Sequence, residues 1–209
     1  METFVLAALL GLAGYTLKSR AERRRIGLLA RHLADYDIEK LMQTLSEGYL
    51  RALGENDAAR RASIWQLLEA SEDKLCAQFQ RFAKGFAQEE AQQTLVSRLP
   101  WPLSEAAQHL PSSPMTGFDL RQVLTVHAQG LARATERNPA QSPQSRAFTL
   151  SAEMLLMQHT CHWFCKSRTI ASARLMARHQ TPYAKLLASV SPETRRAYGA
   201  LTGAQTGAA

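Results

Sequence analysis

Residues 145–179 read SRAFTLSAEMLLMQHTCHWFCKSRTIASARLMARH, an uninterrupted stretch with neither proline nor glycine. Helical periodicity places Leu150, Met154, Met157, Cys161, Phe164, Cys165, Ala171 and Leu175 on one side of it and Leu156, Trp163 and Ile170 on the other. A helix that is apolar on two faces has to be surrounded by others. The stretch therefore predicts one long central helix in an all-α, irregular multi-helix bundle. Thr181-Pro182 ends it, and Ser191-Pro192-Glu193 opens a last short helix, since proline suits a first turn and a serine before it can cap. The closing TGAQTGAA reads as a disordered tail.

Outward from that helix, NPAQSP at 138–143 is a loop, and Phe118, Val123, Leu124, Val126 and Leu131 mark the helix before it. The segment LPWPLSEAAQHLPSSPMTG, 99–117, holds four prolines and has to break regular structure. Trp101, between two of them, is expected to plug the core. Earlier still come a short helix from about Gln88 to Arg98 and a long one from about Asp57 to Phe86. The long one carries an apolar stripe of Ile64, Leu68, Leu75, Phe79, Phe82 and Phe86. Ile38, Leu41, Met42, Leu45, Tyr49 and Leu53 make the cleanest amphipathic helix, with Gly54 as its expected C-cap. No segment alternates with period two, which argues against an α/β enzyme fold, and no repeat of twenty to fifty residues argues for a solenoid.

The N-terminus carries FVLAALLGLAGYTL, residues 4–17, uncharged and followed at once by Lys18, Arg20, Arg23, Arg24 and Arg25. As a helix the run spans roughly 21 Å, short of the ~30 Å hydrocarbon layer. The basic flank nevertheless suits a membrane anchor with its C-terminal side in the cytoplasm. A secretory signal would place its positive charge before the apolar run, and here only Met1, Glu2 and Thr3 precede it. The expected organisation is an anchor with its basic flank over 1–25, a helical bundle over 26–190 with the proline-rich loop inside it, and a short helix and tail over 191–209. The expected location is the inner membrane, single-pass, with a cytoplasmic alternative.

The chain has 209 residues, 45% hydrophobic and 21% charged, which suits one packed domain with extensions. Its net charge of +7 is unevenly spread. Residues 1–31 and 111–209 are basic, whereas 32–110 hold eight Lys/Arg against twelve acids. That pattern fits contact with anionic lipid through the N-terminal helix, and self-association or an unknown protein partner, better than a nucleic-acid groove. Cys76, Cys161 and Cys165 are an odd set in a chain large enough to need no staple, so free thiols and a reducing compartment are expected.

One cluster has reactive side chains in density: His159, Cys161, His162 and Cys165, with His127 on the preceding helix. Cys161 and Cys165 share a helical face and His162 stands beside Cys165, a set that could ligate a soft or borderline metal ion. The spacing matches no CxxC, HExxH or CxxCH motif, and GxxxxGK[ST], GxGxxG and GxSxG are absent too. Buried cysteine and histidine are more often packing residues. The expected function is therefore a membrane-anchored cytoplasmic scaffold or interaction protein without evident catalysis and without a cofactor. The alternative is a helical metal- or cofactor-binding protein using those five residues.

Overall fold

The computed structural model describes residues 2–97 and 117–204, with side chains in the first helix from residue 12 onward. Its elements are α1 (Glu2–Leu33), α2 (Ile38–Gly54), α3 (Ala58–Phe86), α4 (Ala91–Thr94), β1 (Leu95–Ser97), β2 (Gly117–Asp119), α5 (Leu120–Thr135), α6 (Pro143–Cys165), α7 (Arg168–His179), α8 (Tyr183–Ser189) and α9 (Pro192–Thr202). The chain is nearly all-α. Most of the helix starts follow from local chemistry. Asp57, Asp119, Ser142, Ser167 and Ser191 each accept a backbone N–H from the first turn that follows, and Pro143 and Pro192 occupy first-turn positions. Gln180 and Gly203 close α7 and α9 in the left-handed conformation.

Helix α6 is the hub, packed by α5, α7, α8, α1 and α2, while α3 packs on α2 and α5. The aromatic centre joins three of these. Phe79, Phe82 and Phe86 of α3 stack along one stripe, and Phe86 meets His32 of α1 at 5.2 Å and Phe164 of α6 at 6.2 Å between ring centroids. Edge contacts of this kind add to the burial term.

Helix α6 also carries polar side chains into the interior. Arg146, Glu153, His159 and Thr160 are all buried. Arg146 reaches Glu69 and Glu72 of α3, Glu153 takes the Ser191 turn, His159 meets Ser172 of α7, and Thr160 meets His127 of α5. Unpaired groups in such positions are costly, so each contact also selects a neighbour.

Several expectations change. The stretch 145–179 is two helices, because the backbone turns at Lys166 and Ser167 accepts the N–H of Ile170. Helix α7 thereby folds back onto α6 instead of extending it. The helix expected over 88–98 is a single turn, α4, followed by a strand. Here β1 pairs antiparallel with β2, Val96 opposite Phe118. A Cβ at Gly117 would stand 2.6 Å from the Val96 carbonyl oxygen, so this close pairing requires the glycine. Helix α8 lies beyond Thr181-Pro182, where no helix was expected, and Gly54 is the last residue of α2 rather than a cap beyond it. Trp101 and residues 205–209 lie outside the described residues, but Ala204, expected in the tail, is buried.

The membrane-spanning anchor is corrected as well. No helix among the described residues is long and apolar enough to cross a membrane. The fourteen-residue apolar run is the first half of one continuous helix that turns sharply charged at Lys18. Its second half belongs to the bundle: Leu28 and Leu29 are buried and Glu22 pairs with Lys166, just past the end of α6.

Phe86→Ala should cost about 3–5 kcal/mol, because it leaves a cavity where α1, α3 and α6 meet. Phe148→Ala, at a position 61% exposed on α6, should stay within about 0.5 kcal/mol. Urea unfolding of both variants checks this, and equal losses would mean that the aromatic centre is not where α1 is held.

Candidate functional site

The five residues of the His/Cys cluster occupy three environments. His127 is wholly enclosed, with Nε2 2.9 Å from Thr160 Oγ1. Thr160 gives its own proton to the Leu156 carbonyl at 2.9 Å, so it accepts from His127 Nε2–H. That leaves Nδ1 as the deprotonated nitrogen, and it has no partner. The Tyr198 hydroxyl closes the group, 3.3 Å from Thr160 and 3.4 Å from the Tyr183 hydroxyl. Burial holds the His127 imidazole down at about 3, so it is neutral.

His159 lies one helical position from Thr160 and faces elsewhere. Its Nε2 is 3.0 Å from Ser172 Oγ, its ring sits on Tyr183 at 4.6 Å, and Nδ1 is buried without a partner. Arg168 stacks over both Trp163 and Tyr183 beside it. Burial, then the charges of Arg168 and His162, lower His159 to about 4.

Cys161 and Cys165 share a face, as their spacing requires, and line a groove of about 610 Å³ between α1, α2 and α6. The groove is walled by Ile26, Leu29, Leu33, Met42, Phe79 and Met157. Burial pushes the Cys161 thiol up to about 12 and the Cys165 thiol up to about 11. The reactive and metal-binding form is the thiolate, so both sulfurs are set against nucleophilic or ligand chemistry. Cys76, Cys161 and Cys165 are all free thiols. Among the described residues no group of three or more His, Cys, Asp and Glu could hold a metal ion.

His162 belongs to two surfaces. It borders the groove just described, and it also lines a shallow cleft between α6 and α7 with His159, Arg174, Arg178 and His179. Burial, followed by Arg174 and Arg178, lowers its pKa. The His/Cys pattern named His159 and His162 but not the arginines they meet here. The available signal was the pair Arg174 and Arg178, one turn apart on a helix, but a sequence does not say which helix such a pair will face.

A further polar cluster lies at the C-terminal end. Glu153 Oε1 accepts the Ser191 N–H at 3.1 Å, and Ser191 Oγ stands 2.9 Å from both Glu153 Oε1 and Thr194 Oγ1. Arg133 Nη2 donates to Thr194 at 3.1 Å. Glu153 Oε2 is buried without a partner, and burial raises the carboxyl's pKa. A Cβ at Gly130 would fall 2.4 Å from that oxygen and 2.6 Å from Thr194 Oγ1, so α5, α6 and α9 meet here only because residue 130 has no side chain. The cluster binds the last helix to the bundle.

Comparison with known proteins finds no matching family, no matching curated protein and no matching solved structure. Function has to be read from the side chains.

The buried imidazoles give a pH dependence of defined sign. An unfolded histidine titrates near 6.5, whereas His127 and His159 resist protonation down to about 3 and about 4 in the fold. Below pH 6.5 the unfolded chain takes protons that the folded chain refuses. Stability is therefore full above about pH 6.5 and declines as the pH falls toward 4. Glu153, raised by burial, acts in the opposite sense and only near the carboxylate range. Tm should drop between pH 7 and pH 5, and less steeply in His127→Gln; a flat Tm over that interval would mean that these rings protonate freely in the fold.

Gly130→Ala should destabilise by about 1–3 kcal/mol through overpacking. The loss should show as early hydrogen exchange in α9. Undiminished protection there would mean that Glu153 and Thr194 yield to the methyl group without loosening the helix.

Proposed function

We propose that this chain is a membrane-surface interaction protein without catalytic activity of its own, in which the N-terminal arm seats a helical bundle against an anionic bilayer. The observation that carries the reading is the arm. Leu12, Tyr15 and Leu17 are 60%, 70% and 59% exposed on the part of α1 that precedes its contacts with the bundle. Large apolar side chains clustered on one protruding helix mark a contact surface. Lys18, Arg20, Arg23 and Arg24 follow within two turns and are exposed, while Arg25 lies over the Phe164 ring at 6.0 Å. An apolar helix bordered by cations is the composition that lies in a headgroup interface and gains from anionic lipid. Two parts of α1 thus have different tasks: the second half is held by the core, and the turn carrying Leu12, Tyr15 and Leu17 is offered outward.

The absence of catalysis is inferred from the side chains that could have supplied it. The thiols are held protonated, and His127 is a fully buried, neutral core group. The apolar groove beside Cys161 and Cys165 offers surface for a partner protein or a second copy, in line with a scaffold.

Flotation of the full chain with phosphatidylcholine vesicles, with and without phosphatidylglycerol, tests the reading. Binding should require the anionic lipid and be released by alkaline carbonate. Each basic residue near the surface contributes about 1 kcal/mol, so Arg23→Glu combined with Arg24→Glu should weaken binding at least about tenfold, and Leu12→Glu with Leu17→Glu should abolish it. Indifference to anionic lipid, with the arm driving dimerisation instead, would overturn the proposal.

A further inference from the structure

The cleft between α6 and α7 has a charge arrangement that the arm does not explain. Arg174 and Arg178 project from successive turns of α7 and are exposed, and both line the cleft with His162 of α6 and with His179 at the end of α7. Among the described residues neither arginine has a carboxylate within ion-pair distance, and both act on His162 across the cleft. Glu39 is on the other side of α6, along the apolar groove, where its charge is felt by Cys161. Two permanent cations therefore converge beside two imidazoles with no carboxylate paired to them among the described residues, a repulsion between guanidiniums that an anion relieves.

A second feature sits in the floor. His159 lines the same cleft, is 2% exposed, and has a buried Nδ1 with no hydrogen-bond partner. Buried polar atoms are rarely left in that state without a ligand, a water or a functional reason. The enclosed part of the cleft is about 10 Å³, room for one water-sized group. A ligand must therefore rest on the rim and cannot be swallowed.

We propose that this cleft is a phosphate-binding site, in which Arg174 and Arg178 grip the oxygens from α7 while His162 and His179 flank them. Two guanidiniums one turn apart offer paired N–H donors that match phosphate geometry better than separate ammonium groups would. The shallow rim suits a phosphate that stays attached to something larger, as a phospholipid headgroup does, as well as the free ion. The site stands whether or not the arm binds lipid.

The test uses the full chain and two probes, inorganic phosphate and vesicles of phosphatidic acid in phosphatidylcholine. Calorimetric titration and the His162 ring NMR signals read the first, and flotation reads the second. Arg174→Gln with Arg178→Gln should weaken binding of the responding probe at least about tenfold, since each lost guanidinium removes a charge-assisted hydrogen bond. Arg174→Lys with Arg178→Lys should recover only part of it. Both positions are exposed, so circular dichroism should show the variants folded.

Binding of inorganic phosphate that the Gln variant loses supports the site with the free ion as its source. Binding of the phosphatidic acid vesicles alone, lost in the Gln variant although the arm is intact, supports it with the headgroup as source. Vesicle binding that depends on Leu12 and Arg23 but ignores Arg174 and Arg178, with no phosphate titration, overturns this site and leaves the arm reading standing. Phosphate binding without any vesicle binding does the reverse.

Discussion

Four polar side chains on one buried helix set the arrangement of this protein. Arg146, Glu153, His159 and Thr160 lie along α6 where water does not reach, and each would be costly if left alone. Every one is met by a different partner: α3 through Glu69 and Glu72, the turn before α9 through Ser191, α7 through Ser172, and α5 through His127. Apolar contact alone tolerates sliding and rotation of helices, whereas a buried ion pair or hydrogen bond does not. The hydrophobic effect assembles this bundle, and these contacts fix which helix lies against which side of α6.

The same constraint explains why the most reactive-looking residues are quiet. His127 and His159 are drawn into satisfying the interior, and burial keeps both neutral. The cysteines face an apolar groove that raises their pKa values. Apart from the paired Arg146 and Glu72 and the hydrogen-bonded Glu153, cations gather at the periphery, on α1 beyond its core contacts and on the outer turns of α7. The basic and apolar surfaces proposed to meet a partner lie outside the polar core. The two proposals rest on those surfaces, an apolar helix with a cationic collar and a cationic cleft without a counter-charge.

Helix α1 shows how one element serves both regions. A continuous helix transmits position without a hinge, so the ring contact of His32 with Phe86 and the pairing of Glu22 with Lys166 orient the segment that carries Tyr15 and Leu17. No described helix is long and apolar enough to span a bilayer, and Leu12, Tyr15 and Leu17 are too exposed to count as core; the proposed headgroup interface suits both properties.

Much was determined by the sequence alone. Apolar periodicity defined α2, α3 and α5, Asp57 and Ser191 marked the starts of α3 and α9, and a two-faced apolar stretch identified the central helix. These are local properties, legible because a side chain's place on a helix depends only on residue count. Tertiary structure decided the rest. Whether 145–179 is one helix or two depended on Ser167 capping a turn that only becomes favourable when α7 can pack back on α6. The β1–β2 pair depended on Gly117 meeting Val96 from a distant part of the chain. The separation of His127, His159 and Cys161 into three environments, and the meeting of Arg174 and Arg178 with His162, depended on which helices become neighbours. Those are contacts between residues far apart in sequence, and their free energy is realised only once the chain has closed around α6.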